Sequence, residues 1–265
     1  MNNNKYKLPK DGGLVKESAP RDIVHRYERI PTKVFESEYH GVNYVADLIC
    51  RLVRAHGDNA SARDIYEELP PFVLGLTTGR TPLGLYRELV KRYKEGRVSF
   101  RNVAVYSLDE FYPISKDEQQ SRNYRIHDDF LKHIDILPEN IHIPNGMVPE
   151  SEISEYCAEY EKSIRKIDLM IIGMGEEGQI GFNEQGSYAK SPTRLVELSH
   201  NSRKTQSNLF FGLENTPKMA ITMGIGTIMR ADKIVLMAWG EDKADAVKKV
   251  AEDKADTSVP ASLLQ

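Results

Sequence analysis

The sequence has little cysteine, no long apolar run and no excess of charge of either sign. Two cysteines, Cys50 and Cys157, are too few for a disulfide framework or a zinc site, and both lie in segments with helical apolar spacing. No apolar stretch approaches the roughly 18 residues that cross a bilayer, and the first residues lack a signal-peptide pattern. We therefore expect a cytoplasmic protein without a membrane partner.

The charges are nearly balanced, with 36 Lys and Arg residues against 39 Asp and Glu residues. Because the two signs are interspersed, no basic surface for nucleic acid is expected. The chain has 265 residues, of which 40% are hydrophobic and 28% charged, enough to build the core of one large α/β domain. A small molecule is the partner that this composition favours.

The domain organisation follows from where periodic patterns begin. Residues 1–30 are polar, with scattered proline and glycine and no sustained period, which predicts an N-terminal arm. An amphipathic helix is predicted from His40 to His56, where apolar residues recur every three or four positions. We treat residues 31–265 as a single domain.

Short apolar runs alternate with helical patterns in that domain. Strands are predicted at 72–76, 103–108, 168–172, 220–223 and 234–238, and helices from 82 onward and at about 124–133, 152–165 and 224–230. Continuous apolar strands that alternate with helices are typical of a parallel sheet covered on both faces. The prediction is an α/β fold, doubly wound and mostly parallel, of the Rossmann-like type.

Polar residues follow the first three of these strands. Loop 77–81 precedes a helix expected to begin at Pro82, where free backbone N–H groups can bind phosphate, although an ordinary turn with Thr81 as N-cap explains it equally well. Asp109 could abstract a proton next to a carbonyl, or could be a turn or cap carboxylate. A glycine turn then leads to three polar side chains, for which solvated loop charges are the simplest explanation: Glu177, Gln179 and Glu184.

In order and spacing, these stretches resemble the glucosamine-6-phosphate deaminase/isomerase family over roughly residues 30–265. The matching stretches are FVLGLTTGRTP (72–82), VSFRNVAVYSLDEFY (98–112), GQIGFNE (178–184) and MGIGT (223–227). The resemblance implies a small phosphorylated amino sugar as partner, and no metal or organic cofactor. It implies conversion of glucosamine 6-phosphate to fructose 6-phosphate and ammonia.

The resemblance also implies roles for individual residues. Asp109 corresponds to the acid that moves a proton between C2 and C1 of the open-chain sugar. Glu177, Gln179 and Glu184 correspond to an acid–histidine–acid group that opens the sugar ring. The residues expected to bind substrate are Thr78, Gly79, Arg80, Thr81, Glu110, Gly173, Gly175 and Lys243.

Two departures from the family pattern affect this site. Gln179 replaces the histidine, and an amide has no proton-transfer equilibrium near neutral pH. Ring opening by Glu184 or Glu177 through water, a substrate that is already open, and loss of the deaminase activity all remain open. Asn208 replaces a phosphate-binding arginine, while Arg80 replaces a loop glycine, so that one cation is lost and another gained.

The resemblance also concerns a possible allosteric site at Arg194. Arg194 matches a residue that helps to bind an activator in allosteric bacterial members, but Val196 replaces a neighbouring cation, which argues against that site. The oligomeric state stays open, a homo-oligomer included.

The chain ends at Gln265, before the family's usual end, and resembles the amino-terminal half of larger bacterial proteins, so a missing C-terminal segment is expected.

Two other functions are compatible with the sequence. The first is a regulatory domain that binds a sugar phosphate without turnover, which Gln179 and Asn208 favour. The second is a related enzyme such as a 6-phosphogluconolactonase, against which the segments at Phe182–Glu184 and Asp109–Glu110 argue.

Overall fold

The computed structural model describes residues 15–16, 28–60 and 69–265. Most of the predicted arm at 1–30 lies outside these residues. Its described parts contact the domain, because residues 15–16 pair with residues 34–35 and the Arg29 amide donates to the Ala251 carbonyl at 2.6 Å. The arm otherwise stays a prediction.

Ten strands and seven α-helices form the described chain. The strands are β1 (Val15–Lys16), β2 (Val34–Phe35), β3 (Phe72–Leu76), β4 (Val103–Ser107), β5 (Asp109–Tyr112), β6 (Ile141–His142), β7 (Leu169–Gly173), β8 (Arg194–Glu197), β9 (Met219–Thr222) and β10 (Ile234–Met237). The helices are α1 (Glu38–Ala60), α2 (Leu83–Lys94), α3 (Arg122–Asp129), α4 (Ile153–Ser163), α5 (His200–Gln206), α6 (Ile225–Ile228) and α7 (Ala244–Glu252). Short 3₁₀ turns link several of them.

The central sheet is parallel, with strand order β10-β7-β3-β4-β6. Side chains alternate across it: Leu169 and Ile171 join the core beneath α1 and α2, whereas Met170 and Ile172 join a second core with α4, α6 and α7. Because both faces are covered, β7 is apolar throughout. The predicted doubly wound α/β fold is confirmed.

A second sheet was not predicted. It is antiparallel, with order β5-β9-β8, and it contains residues 219–222, whose apolar run we had assigned to the parallel sheet. That assignment was wrong, because a short, mostly apolar run does not specify strand direction. Leu108 joins the two sheets: its amide donates to the Leu76 carbonyl and its carbonyl accepts from the Met223 amide, both at 2.8 Å.

Helix boundaries differ from the prediction by a few residues. Helix α3 begins at Arg122 rather than Tyr124, because the Ser121 hydroxyl caps it by accepting from the Tyr124 amide at 2.8 Å. Helix α2 begins at Leu83 with Pro82 as N-cap, so Thr81 is not its cap. Cys50 in α1 and Cys157 in α4 are buried and unpaired, as expected. Within the described ranges, no helix is both long and apolar enough to cross a membrane.

Candidate functional site

The predicted site residues lie at one edge of the parallel sheet, which we call the carboxyl edge, where β3, β4, β7 and β10 end. Loop 77–81 follows β3, Asp109 follows β4 after one residue, loop 174–184 follows β7, and Lys243 lies in a 3₁₀ turn after β10. Neighbouring parallel strands bring their carboxyl ends together, which is where open α/β sheets bind ligands. The topology therefore places all four segments at one edge.

Loop 77–81 is held from two sides. The Tyr86 hydroxyl donates to the Thr77 carbonyl, and the Trp239 indole N–H donates to the Thr81 carbonyl at 3.0 Å. Thr81 also lies against Gly173, where an added Cβ would come within 3.2 Å of the threonine Cβ. The loop is thus fixed between β3, α2 and the segment after β10.

The polar groups of this loop are available to a ligand. The Thr78 hydroxyl oxygen is buried without a hydrogen-bond partner in the described chain. Gly79 and Arg80 are exposed, and within residues 28–60 and 69–265 no group pairs with the Arg80 guanidinium. No side chain caps the N-terminus of α2, which follows directly. An anion could be held here by backbone N–H groups, a hydroxyl and a cation.

Lys243 is the second cation of the carboxyl edge. Its Nζ lies 3.9 Å from Glu176 Oε1 and 3.7 Å from Asp242 Oδ2, and both carboxylates are exposed. Ion pairs of this length with exposed carboxylates are weak. The lysine can therefore exchange these carboxylates for an anionic ligand at little cost.

Asp109 is a buried carboxylate of the site, with 2% of its surface exposed. Burial raises its pKa above the ordinary value, and the charge of Arg122 opposes that rise. Asp109 Oδ1 has no hydrogen-bond partner within the described residues. A buried carboxylate oxygen without a partner is rare in proteins and indicates a group poised to meet a ligand.

Arg122 is a site residue that the sequence did not indicate. Its Nε lies 3.7 Å from Asp109 Oδ1, and its guanidinium lies over the rings of Phe111 at 4.6 Å and Phe182 at 5.4 Å. The residue is 8% exposed, and its Nε is also without a hydrogen-bond partner in the described chain. The only signal in the sequence was Ser121, which marks the start of α3 and hence of Arg122's helix.

Glu110 was expected to bind substrate, but its carboxylate is engaged by backbone. Oε1 accepts from the amides of Phe111 and Arg122, and Oε2 from the amide of Asn123, each at 2.8 Å. Burial raises the pKa of Glu110 to about 7. The geometry makes Glu110 a cap for α3, and a direct substrate contact stays a prediction that these bonds disfavour.

The three residues of the predicted ring-opening group lie together in a cleft of about 680 Å³. Glu177 Oε1 accepts from the Asn201 side chain at 3.1 Å, and both oxygens of Glu184 accept from the Ser199 amide at 3.1 and 3.3 Å. Gln179 folds against Gly175, with its oxygen accepting from the Glu177 amide at 3.0 Å. Ser199 and Asn201, which the sequence did not indicate, thus position the two acids.

Asp109 does not line that cleft, but the loop after β7 connects the two groups. An added Cβ on Gly181 would lie 2.9 Å from Asp109 Oδ2, so this backbone passes directly beside the predicted base. Asn183 fixes the loop by donating to the Met223 carbonyl at 2.7 Å and accepting from Arg194 at 3.0 Å. One loop therefore borders the predicted base and carries the residues of the predicted ring-opening group.

The residues tied to departures from the family pattern are also located. Arg194 donates to Asn183 and Ser187 inside its own chain, so its guanidinium supports the loop after β7. Asn208 is exposed in the 3₁₀ turn Ser207–Phe210. In the described part of the chain, no three His, Cys, Asp or Glu side chains converge as they would around a metal ion.

Comparison with known proteins gives a consistent result. The profile of the family described as glucosamine-6-phosphate isomerases/6-phosphogluconolactonase matches residues 52–265. The glucosamine-6-phosphate deaminase 2 of Bacillus subtilis is 45% identical over 199 residues, which cover 73% of this chain and 79% of that protein. A solved structure of a monomeric glucosamine-6-phosphate deaminase is 33% identical, covers 86% of this chain and 90% of its own, and has a TM-score of 0.77.

A longer relative is similar over nearly the whole chain. A putative glucosamine-6-phosphate deaminase-like protein of Bacteroides thetaiotaomicron is 39% identical over 249 residues, which are 92% of this chain but only 36% of that protein. The chain thus spans about a third of the length of that relative. The 6-phosphogluconolactonase of Thermotoga maritima, 20% identical with a TM-score of 0.60, shares the fold. By its sequence profile and its relatives, the chain belongs to the glucosamine-6-phosphate isomerase/6-phosphogluconolactonase family.

Proposed function

We propose that this chain is an isomerase-deaminase that converts glucosamine 6-phosphate, or a close hexosamine phosphate, to fructose 6-phosphate and ammonia. One observation carries the proposal. Four buried side-chain atoms lack a hydrogen-bond partner in the described chain, and three of them belong to Thr78, Asp109 and Arg122 at the carboxyl edge. Unpaired buried polar atoms are costly, so their clustering favours a built ligand site.

Asp109 acts as the base in this proposal. On the open-chain sugar it removes the C2 proton next to the C1 aldehyde while O1 gains a proton, which gives an enolamine. It then returns the C2 proton to C1, and the amino group loses a proton in exchange for the one that O1 gained. The resulting C2 imine takes up water and releases ammonia, leaving the ketose. Burial suits this role, since it raises the pKa of the carboxyl group and so makes the carboxylate a stronger base.

The phosphate binds between loop 78–81 and Lys243. Thr78 and Thr81 supply hydroxyls, the N-terminus of α2 supplies free amides, and Arg80 supplies a cation that is free of protein partners in the described residues. This arrangement supports an exchange in which Arg80 takes over from the family arginine that is replaced by Asn208. The cation would approach the phosphate from the opposite side.

Ring opening falls to Glu184 or Glu177. Gln179 can hold a sugar hydroxyl but cannot transfer a proton, and its oxygen is engaged by the Glu177 amide. Both acids face the open cleft, where water can relay a proton. No metal or cofactor has a step in this scheme, and the cytoplasmic location expected from the sequence suits an enzyme of sugar-phosphate metabolism.

The test follows both the substrate proton and the product. Glucosamine 6-phosphate is incubated with the protein in deuterated water, and proton NMR records loss of the C2 proton signal and formation of fructose 6-phosphate. We expect both with the wild type and neither with Asp109→Asn. Turnover by Asp109→Asn equal to wild type would remove Asp109 from the mechanism.

A second function is favoured by Gln179, because its amide cannot transfer the ring-opening proton. If the protein binds the sugar phosphate without C2 exchange or product, it is a sugar-phosphate-binding regulatory domain that has kept the pocket. Hydrolysis of 6-phosphogluconolactone, measured in parallel, would instead assign the chain to the lactonase branch of the family.

A further inference from the structure

The proposed mechanism does not use Arg122, although this arginine is buried beside the proposed base. It differs from Arg92, the other buried arginine of the described chain. Arg92 forms ion pairs with Asp47 and Glu88 and so clamps α1 to α2. Among the described carboxylates, Arg122 lies within ion-pair distance of Asp109 alone, at 3.7 Å, and its Nε–H is not used in any hydrogen bond within the fold.

Within residues 28–60 and 69–265, the surroundings of Asp109 contain no other nearby charge that balances it. Tyr86 of α2 and Tyr160 of α4 lie near enough to feel its charge, but their hydroxyls donate to backbone carbonyls. Burial raises the pKa of both phenols, so they are neutral at physiological pH. On β9, Thr222 lies opposite Asp109 in the strand register and does not titrate. The carboxylate of Glu110, on its own strand, is turned to the backbone of α3.

We propose that Arg122 is a positioning residue that keeps Asp109 ionised in its buried site and thereby sets the pH range in which the base works. A buried carboxyl group without a counter-charge retains its proton and cannot act as a base near neutral pH. A guanidinium 3.7 Å away stabilises the carboxylate. The rings of Phe111 and Phe182 hold the guanidinium in place and keep water from it.

Only the catalytic consequence of this inference depends on the proposed function. The electrostatic part concerns the ionisation of Asp109 and can be measured without substrate. The experiment therefore uses one readout that is independent of turnover and one that is not.

The first readout is carbon NMR of protein labelled at the aspartate side-chain carboxyl carbon, recorded across pH. Asp109→Asn identifies the signal of Asp109, and Glu110 is invisible because glutamate is unlabelled. Arg122→Met removes the charge while keeping an apolar side chain for the two rings, and Arg122→Lys keeps a charge in altered geometry. Arg125→Met, on the same helix, is the matched control that removes an arginine elsewhere.

In Arg122→Met, we expect the titration midpoint of Asp109 to rise by at least one pH unit, which is about a tenfold tighter hold on the proton. Arg122→Lys should lie between Arg122→Met and wild type, and Arg125→Met should match wild type. Thermal unfolding checks that each variant is folded, and Arg122→Gln serves as a second neutral variant. Equal midpoints in wild type and the neutral variants would overturn the inference, as would a wild-type Asp109 that is protonated at pH 8.

The second readout is the pH profile of kcat/KM. The acid limb should move to higher pH in Arg122→Met by the same amount as the NMR midpoint. If the wild type does not turn over the sugar while the NMR shift is observed, the proposed function fails and the role of Arg122 stands. If turnover occurs and the midpoint does not move, the proposed function stands and the role of Arg122 fails.

Discussion

The surroundings of the proposed base and those of the proposed ring-opening group are built differently. Asp109 and Arg122 are buried between two sheets, α3 and the loop after β7. Glu177 is exposed and Gln179 and Glu184 are half-buried along an open cleft. The fold fixes the base from several elements at once, whereas it holds the ring-opening residues by a few contacts with one loop and the start of α5.

This difference is relevant to the replacement that the family resemblance implies at Gln179. A change beside Asp109 would disturb the packing of both sheets and leave a buried charge unpaired. A change at position 179 alters a side chain that lies against its own loop, at little cost to folding. We therefore expect substitutions in the open cleft to be tolerated better than substitutions beside Asp109, and the following predictions test how far this holds.

The largest effect is expected from Gly181→Ala. This glycine has a φ of +55° and its backbone borders the proposed base, so an added methyl group would push against both Leu108 Cδ2 and Asp109 Oδ2. We expect kcat/KM to fall about 100-fold, because misplacing a catalytic group by about 1 Å has that consequence. The strained backbone should also lower the free energy of unfolding by about 1–3 kcal/mol.

Gly186→Ala is the matched control for that experiment. Gly186 also has a positive φ, +93°, but no atom would lie within 4 Å of its added Cβ. It should lose stability without a comparable loss of kcat/KM. Equal activity losses in the two variants would show that backbone strain, and not contact with Asp109, is responsible.

A pH-dependent effect on stability is expected from Glu110→Gln. The pKa of Glu110 is raised to about 7 in the folded protein, above its ordinary value of 4.5, so the folded state binds the proton more tightly. This contribution to stability is present below pH 4.5 and is lost as the pH rises to 7. Relative to the variant, the wild type should lose up to about 3 kcal/mol across that window.

Denaturant unfolding of both proteins at pH 4.5, 6 and 7.5 measures that difference. The variant also loses hydrogen bonds to the start of α3, because the NH2 group of glutamine cannot accept from a backbone N–H as a carboxylate oxygen does. Parallel stability curves for the two proteins would show that Glu110 does not titrate in this range.

A smaller effect is expected from Arg80→Ala. If Arg80 binds the substrate phosphate, its loss should raise KM about 10-fold with little change in kcat, as for a hydrogen bond to a charged group. Arg87→Ala, another exposed arginine on the following helix, is the control and should leave KM unchanged. An unchanged KM in Arg80→Ala would end the idea that this cation replaces the family arginine.

The smallest effect is expected from Gln179→His. A histidine titrates near neutral pH and could carry the ring-opening proton. Because the loop positions residue 179 against Gly175 and the Glu177 amide, the imidazole would not be ideally placed, and we expect kcat to rise only about 3-fold. Rates on the cyclic sugar phosphate test this, and an unchanged rate would mean that ring opening is not limiting.

The sequence predicts the central sheet well and the second sheet poorly. Strands β3, β4, β7 and β10 were placed within about one residue, because continuous apolar runs are required where both faces of a sheet are covered. Strand β5 was missed since it begins with two carboxylates, which is unusual for a strand. Strand β8, Arg194–Glu197, also begins and ends with charged residues.

For the site, the sequence predicts which segments contribute residues but not which side chains contact one another. Resemblance to the family identified Asp109 and the loop after β7, and the topology brings both to the carboxyl edge. The pairing of Arg122 with Asp109 depends on how α3 packs against β5, which no local pattern encodes. The same holds for Ser199 and Asn201, which lie 15 to 24 residues from the acids that they hold.

Two adjacent carboxylates begin β5, and the pleat of the strand directs their side chains to opposite faces, where they make different contacts. Asp109 and Phe111 share the face on which Arg122 lies, while Glu110 reaches the backbone at the start of α3. Exchanging the two residues would leave composition and net charge unchanged. It would nevertheless put the longer side chain beside Gly181 and leave the shorter one to span the distance to the helix amides. The order Asp-Glu, and not the mere presence of two acids, is what a homologue must share before its mechanism can be compared with this one.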